Sequence, residues 1–351
     1  MEILDYLRAA VEKDASDLFI VAGGSVCCKI QGKIHAISDE RVFPQETERL
    51  IRSLYTEAGR DISHYINTGD DDFSFAVRDL ARFRVNAYRQ RGSMAAVVRV
   101  VAFNIPDYKM MHIPEQVIEL ASIDHGMILV TGTAGSGKST TQACIIDRVN
   151  RTRSCHIITL EDPIEYLHRN QQSIISQREI AIDTENYLTA LRACLRQAPD
   201  VILLGEMRDH ETIRTAMTAA ETGHLIIATL HTSGAVNTID RIIDSFPPTQ
   251  QAQIRIQLSS VLHTVVSQQL IPSKDGGMVP AYEIMHMNSA IKSLIRDSKS
   301  HQIDNAITAG GSEGMITMDQ SILNLYKEGL VDMNIALSYS VNAEQLKRRI
   351  I

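Results

Sequence analysis

The sequence predicts an α/β protein built on a parallel sheet, preceded by a smaller mixed domain of helices and strands. Three observations carry this expectation. Residues 127–131, 156–160, 201–204 and 225–229 are short apolar runs without alternation, the pattern of strands buried on both faces. Helical patterns at 138–150, 184–197 and 209–221 separate them, as the crossovers of a parallel sheet require. Upstream, from 72 to 101, the pattern has period two: Phe73, Phe75 and Val77, then Phe83, Val85 and Ala87, a β signal of another kind.

The remaining elements follow in order. Ile3, Leu4, Leu7, Ala10 and Val11 recur at helical spacing, so the chain opens with a short amphipathic helix. Residues 17–22 and 28–37 read as strands, the second turning at Gln31 and Gly32, and 44–58 reads as a helix with Glu46 in its first turn. Pro106 and Pro114 flank a stretch without periodicity, which places a linker at 103–115 between domains at 1–102 and 116–351. From residue 249 onward the chain reads as mainly helical, apart from a short β-like piece near 278–285.

Composition narrows the class. With 351 residues, 44% hydrophobic and 22% charged, the chain is that of a globular protein able to bury two cores. It has no Trp and only 7 Phe and 10 Tyr, so the core is mostly aliphatic. The net charge of −7 argues against a nucleic-acid partner. The first fourteen residues carry charge throughout, unlike a secretory leader, and no apolar run approaches the ~20 residues of a membrane span. Cys27, Cys28, Cys144, Cys155 and Cys194 form no CxxC pair and read as reduced thiols of a cytoplasmic protein.

The strongest local signal is Gly132, Thr133, Ala134, Gly135, Ser136, Gly137, Lys138, Ser139, followed by Thr140. It fits GxxxxGK(S/T), follows an apolar strand and opens a helix, which is the context a phosphate-binding loop needs. The glycines let successive backbone N–H groups turn toward phosphate oxygens at a helix N-terminus. Lys138 is placed for the β- and γ-phosphates of ATP, and the Ser139 hydroxyl for Mg²⁺, with Glu161 or Glu206 acting on that ion through water. No NKxD-type guanine-reading segment is present. Residues 200–206 form an apolar strand ending in Gly205 and Glu206, a Walker B arrangement with glycine where an aspartate is usual. Glu206 is thereby the candidate to polarise an attacking water. Glu161, Asp162 and Glu165 follow another apolar strand, on the edge where open α/β sheets bind ligands; Glu161 and Glu165 are the candidates there. His224 and His231 bracket the strand after Walker B, and His231, at its C-terminal end, is a candidate sensor of the γ-phosphate.

These segments together resemble the secretion ATPases of type II secretion and type IV pili. TGTAGSGKSTT resembles their Walker A, TLEDPIEY their aspartate box, PDVILLGEMRD their glycine-bearing Walker B and TGHLIIATLHT their histidine box. The likeness runs along the whole chain and is strongest to the PilT-type pilus retraction ATPases, through ASDLFIVAGG, SQREI, DRIIDSFPP and MDQSILNLYKEG. Phe19 stands where a histidine is common, and Lys292, Ser293 and Asp297 depart from the family's AIRNLIRE box. The resemblance implies a PAS-like N-terminal domain and a RecA-like ATPase domain, assembled as a homohexamer with ATP at subunit boundaries. It also implies a polytopic inner-membrane platform protein as partner, a cytoplasmic location at the membrane face, and room for a second retraction ATPase. The chain is too short for the extra N-terminal domain of pilus-assembly and type II secretion ATPases and lacks paired cysteines for their zinc insertion, which favours retraction over those alternatives. A low-activity, nucleotide-responsive accessory subunit is the other alternative; such a subunit is expected to have lost Lys138 or Glu206, and both are present. A DNA-translocating motor is disfavoured by the acidic balance.

Two further expectations concern coupling. Arg78, Arg82, Arg84, Arg89, Arg91 and Arg99 form a dense cationic cluster, and Arg82, Arg84 and Arg99 are candidates to reach a neighbouring subunit's γ-phosphate. Asn288 or Ser289 can cap a helix over 290–297, with Ile291, Leu294 and Ile295 on its apolar face and Lys292 and Arg296 on another.

Overall fold

The computed structural model describes all residues except Gln31, Asp79, residues 102–104 and Ile351, and leaves the Asp39 side chain undescribed. The chain divides into two compact units. One comprises Met1–Asn104 with Glu165–Leu167, the other Ile105–Ile164 with His168–Ile351.

The first unit contains α1 (Ile3–Glu12), β1 (Asp17–Ile20), β2 (Ser25–Ile30), β3 (Lys33–Arg41), α2 (Pro44–Glu57), α3 (Ser63–Thr68), β4 (Asp70–Val77), β5 (Ala81–Gln90) and β6 (Ser93–Val101). Ile3, Tyr6, Leu7 and Ala10 bury one face of α1. Pro44 opens α2 at a position whose N–H has no helical partner, and Glu46 accepts the Phe43 N–H at 2.9 Å. The sheet runs β3-β2-β1-β6-β5-β4, and every strand pair is antiparallel. The strand expected at 28–37 is two strands here, β2 and β3, and half of its turn, Gln31, lies outside the described residues. Tyr55, Tyr65, Phe73, Phe75 and Phe83 pack ring against ring in the core, so the few aromatics gather in this unit.

The second unit contains α4 (Glu115–Ile118), β7 (Gly126–Thr131), α5 (Lys138–Thr152), β8 (His156–Glu161), β9 (Ile174–Glu179), α6 (Tyr187–Cys194), β10 (Val201–Leu204), α7 (His210–Glu221), β11 (Leu225–Leu230), α8 (Ala235–Asp244), α9 (Pro248–Val261), β12 (Leu262–Pro272), β13 (Met278–His286), α10 (Ser289–Arg296), α11 (Ile303–Ala309), α12 (Met318–Lys327), α13 (Met333–Tyr339) and α14 (Ala343–Ile350). Its sheet runs β13-β12-β7-β11-β10-β8-β9, parallel throughout except for the antiparallel β12–β13 pair. Every residue of β7, β10 and β11 is buried, which explains their lack of alternation. Among the described residues no helix is long and apolar enough to cross a membrane.

The structure corrects the reading of the C-terminal part. β12 spans 11 residues and lies in the sheet beside β7, paired along its length with β13. Both faces of β12 are covered over most of its length, and its polar residues Thr264, Ser267 and Gln268 are buried. With neither period two nor a purely apolar run, the strand leaves no pattern to read. The edge strand β9, IISQRE, escapes for the opposite reason, being mostly half-exposed. The helix at α10 is capped as expected: the Asn288 side chain accepts the Ile291 N–H at 3.0 Å, and Ile291 and Ile295 are buried.

Candidate active site

The loop between β7 and α5 is shaped by its glycines. Gly132, Gly135 and Gly137 have φ of 143°, 76° and 89°, in the region that disfavours side chains. A Cβ on Gly132 would lie 2.2 Å from the Gln268 carbonyl oxygen and 2.6 Å from Ser136 Oγ. Gly137 is the N-cap of α5 and brings no side-chain cap, so the first N–H groups of that helix are left for a ligand. Lys138 is buried, and its Nζ donates to the carbonyls of Gly132 and Thr133 at 3.0 and 2.9 Å. Ser136 Oγ is buried without a hydrogen-bond partner. Open amides, a buried cation and an unsatisfied hydroxyl form a donor set that fits a polyphosphate. Ser139 and Thr140 follow on the half-exposed start of α5.

The acids stand at the same edge of the sheet, where β8 and β10 end side by side with Leu160 opposite Leu204. Glu206 is mostly buried and held from two sides. Arg208 Nε donates to its Oε2 at 2.6 Å, and His231 Nε2 lies 3.3 Å from its Oε1. His231 reaches it from the end of β11, the strand between β10 and β7. Glu161 Oε1 accepts from Thr159 Oγ1 at 2.6 Å and from Gln177 Nε2 at 3.2 Å. Strand ends are stitched together as well: the Gly205 N–H donates to the Leu160 carbonyl at 2.8 Å, and the Thr229 hydroxyl to the Gly205 carbonyl. A carboxylate oriented by a guanidinium and an imidazole, beside a phosphate-binding loop, can polarise water for attack on phosphorus.

The other expected site residues fall elsewhere. His224 sits at the start of β11, roughly 23 Å along the strand from His231. Its Nδ1 contacts the Ala219 carbonyl at 2.9 Å, which makes it a closure for the end of α7. Glu165 is grouped with the first unit. Arg82, Arg84 and Arg99 lie on that unit's sheet, Arg84 directly opposite Arg99, and Arg99 bonds Asp17 at 3.0 Å. Arg82 and Arg84 share one face of β5, while Phe83 and Val85 are buried on the other.

Among the residues that went unread in the sequence, three hold the loop or the acids by a side-chain amide or guanidinium. Arg208 grips Glu206. Gln177, on the unforeseen β9, grips Glu161. Gln268, on the unforeseen β12, is buried and donates from Nε2 to the Ser136 carbonyl at 2.6 Å, bracing the phosphate loop from behind. Only Arg208, two positions after Glu206, left a local signal.

A parallel sheet with a glycine-rich strand-to-helix loop and acids on the neighbouring strand ends defines a P-loop ATPase. The sequence matches the family of Type II/IV secretion system proteins over residues 2–310, and the chain belongs to that family. It is 42% identical to the type IV pilus retraction ATPase PilT of Pseudomonas aeruginosa over 332 residues, 94% of this chain and 96% of that protein. It is 40% identical to the twitching motility protein of Neisseria gonorrhoeae, over 98% of this chain and 92% of the relative. The crystal structure of the pilus retraction motor PilT with bound ADP superposes with a TM-score of 0.91 at 45% identity, covering 99% of both chains. The chain is thus an ATP-hydrolysing enzyme of the secretion ATPase class with a site for ATP and ADP.

Proposed function

We propose that this chain is the motor subunit of a homohexameric ATPase that retracts a type IV pilus. The observation that supports it most directly is the likeness to retraction motors along nearly the whole chain, joined to an acid edge complete in Glu206, His231 and Glu161. Work is done at the cytoplasmic face of the membrane, through a polytopic platform protein of the pilus machine. No nucleic acid takes part.

In the proposed cycle, ATP phosphates bind the amides of residues 132–139, and the Lys138 ammonium leaves the carbonyls of Gly132 and Thr133 for the β/γ oxygens. Ser139, with Glu161 or Glu206 through water, would hold Mg²⁺, which when bound neutralises phosphate charge. Glu206 takes the proton of the attacking water, while Arg208 and His231 fix its orientation and His231 registers the γ-phosphate. Arg82, Arg84 and Arg99 of a neighbouring subunit supply positive charge in trans.

Deletion of the gene is expected to leave cells with retained or excess pili and no twitching; bald cells would instead mean a motor for assembly. Steady ATP turnover by the purified protein separates a motor from an accessory subunit. Within mixed rings, a Lys138→Ala subunit and an Arg84→Ala subunit should restore some activity to each other; no recovery at any ratio would rule out action in trans.

A further inference from the structure

Glycine at position 205 has a steric cause. A Cβ there would lie 2.7 Å from the Tyr187 hydroxyl, 3.2 Å from the Leu160 carbonyl and 3.3 Å from the Glu161 Cα. The space in which a Walker B acid would start is taken by a phenol. Tyr187 is the first residue of α6, fixed by the Asn186 side chain that accepts the Thr189 N–H at 2.9 Å, and its ring packs against the core. Its acidity is suppressed by burial first, then by the charges of Asp162, Glu206 and Glu161, with Arg208 opposing. A hydroxyl that keeps its proton near carboxylates can donate to a water placed between it and them.

We propose that the Tyr187 hydroxyl does the work of the acid missing at position 205, as a positioning residue. It holds Glu206, Glu161 and the water between them in the arrangement that the Mg²⁺-nucleotide complex requires. The inference rests on the nucleotide site proposed above. A neutral phenol orders the water without adding a further negative charge to an edge that already carries Asp162, Glu161 and Glu206. Its hydroxyl and a side chain at 205 cannot both keep these positions without one of them shifting, so the two positions are energetically coupled.

The test is titration of a fluorescent ADP analogue with the full chain, in Mg²⁺ and in EDTA, for wild type, Tyr187→Phe, Gly205→Ala and the double variant. Wild type should bind more tightly in Mg²⁺ than in EDTA; equal binding would overturn the Mg²⁺ site itself. Tyr187→Phe should lose roughly three- to ten-fold of affinity in Mg²⁺, the worth of one hydrogen bond, and nothing in EDTA. Its kcat should fall while its thermal unfolding stays that of a folded protein. Gly205→Ala should bind less well than wild type, and less of that loss should appear when Tyr187 is already Phe. A Tyr187→Phe protein with the wild-type ratio between Mg²⁺ and EDTA would overturn the proposal, as would an equal cost of Gly205→Ala in both backgrounds.

Discussion

The two sheets of this molecule solve burial differently, and the difference decides where chemistry can sit. In β5 of the first unit, buried Ala81, Phe83, Val85 and Ala87 alternate with more exposed residues, among them Arg82 and Arg84. Polar groups can therefore stand anywhere along such a strand, on its open face. In the second unit β7, β10 and β11 are buried at every position. A charged group in mid-strand there would face a heavy desolvation cost, and the candidate site residues Gly132, Glu161, Glu206 and His231 accordingly stand where the strands stop. One sheet displays residues along its face; the other delivers them at its edge.

The comparison can be broken by substitution. Phe83→Ala, on the covered face of the first sheet and fully buried, should cost about 3–5 kcal/mol of stability, read from urea unfolding of the whole chain. A loss under about 1 kcal/mol would mean that this face is not the core. Glu206→Gln, at the edge of the second sheet, should slow hydrolysis at least ~100-fold, about 2.7 kcal/mol in barrier, with nucleotide affinity retained. Near wild-type turnover would pass the role of base to Glu161.

Gln268→Ala sharpens the comparison, since it removes a polar group buried inside the second sheet. The Ser136 carbonyl would lose its donor, at a cost of about 1–3 kcal/mol. Because that bond braces the phosphate loop, part of the loss should appear as weaker ADP binding in calorimetric titration. Unchanged affinity would confine Gln268 to packing. Arg99→Ala, in the first sheet, should cost about 1–3 kcal/mol, because the exposed guanidinium is the partner of an Asp17 carboxylate that is itself buried. A loss under about 0.5 kcal/mol in thermal unfolding would show that Asp17 needs no partner there.

Much was legible in the sequence because it is written locally. The phosphate loop needs glycine at positions of positive φ and a strand before a helix, all within one short segment, and the acids at 161 and 206 announce themselves by ending apolar runs. His231 was legible for the same reason, as the residue after such a run. His224 carried the same outward mark, and only the direction of β11 separates the two, putting one against Glu206 and the other at the far end.

The sequence by itself determined the strand–loop–helix grammar of the second unit, the family and the identity of the strand-end acids, since each rests on neighbours in the chain. Tertiary structure alone decided that β12 joins the sheet beside β7, that Gln268 meets Ser136 from 132 positions away, and that Tyr187 fills the space beside Gly205. These are contacts between distant segments, in a sheet where only the β12–β13 hairpin pairs strands joined by a short turn. Such contacts are selected by the shape and polarity left over once the other strands have packed, and they have no period, cap or motif through which a sequence could announce them.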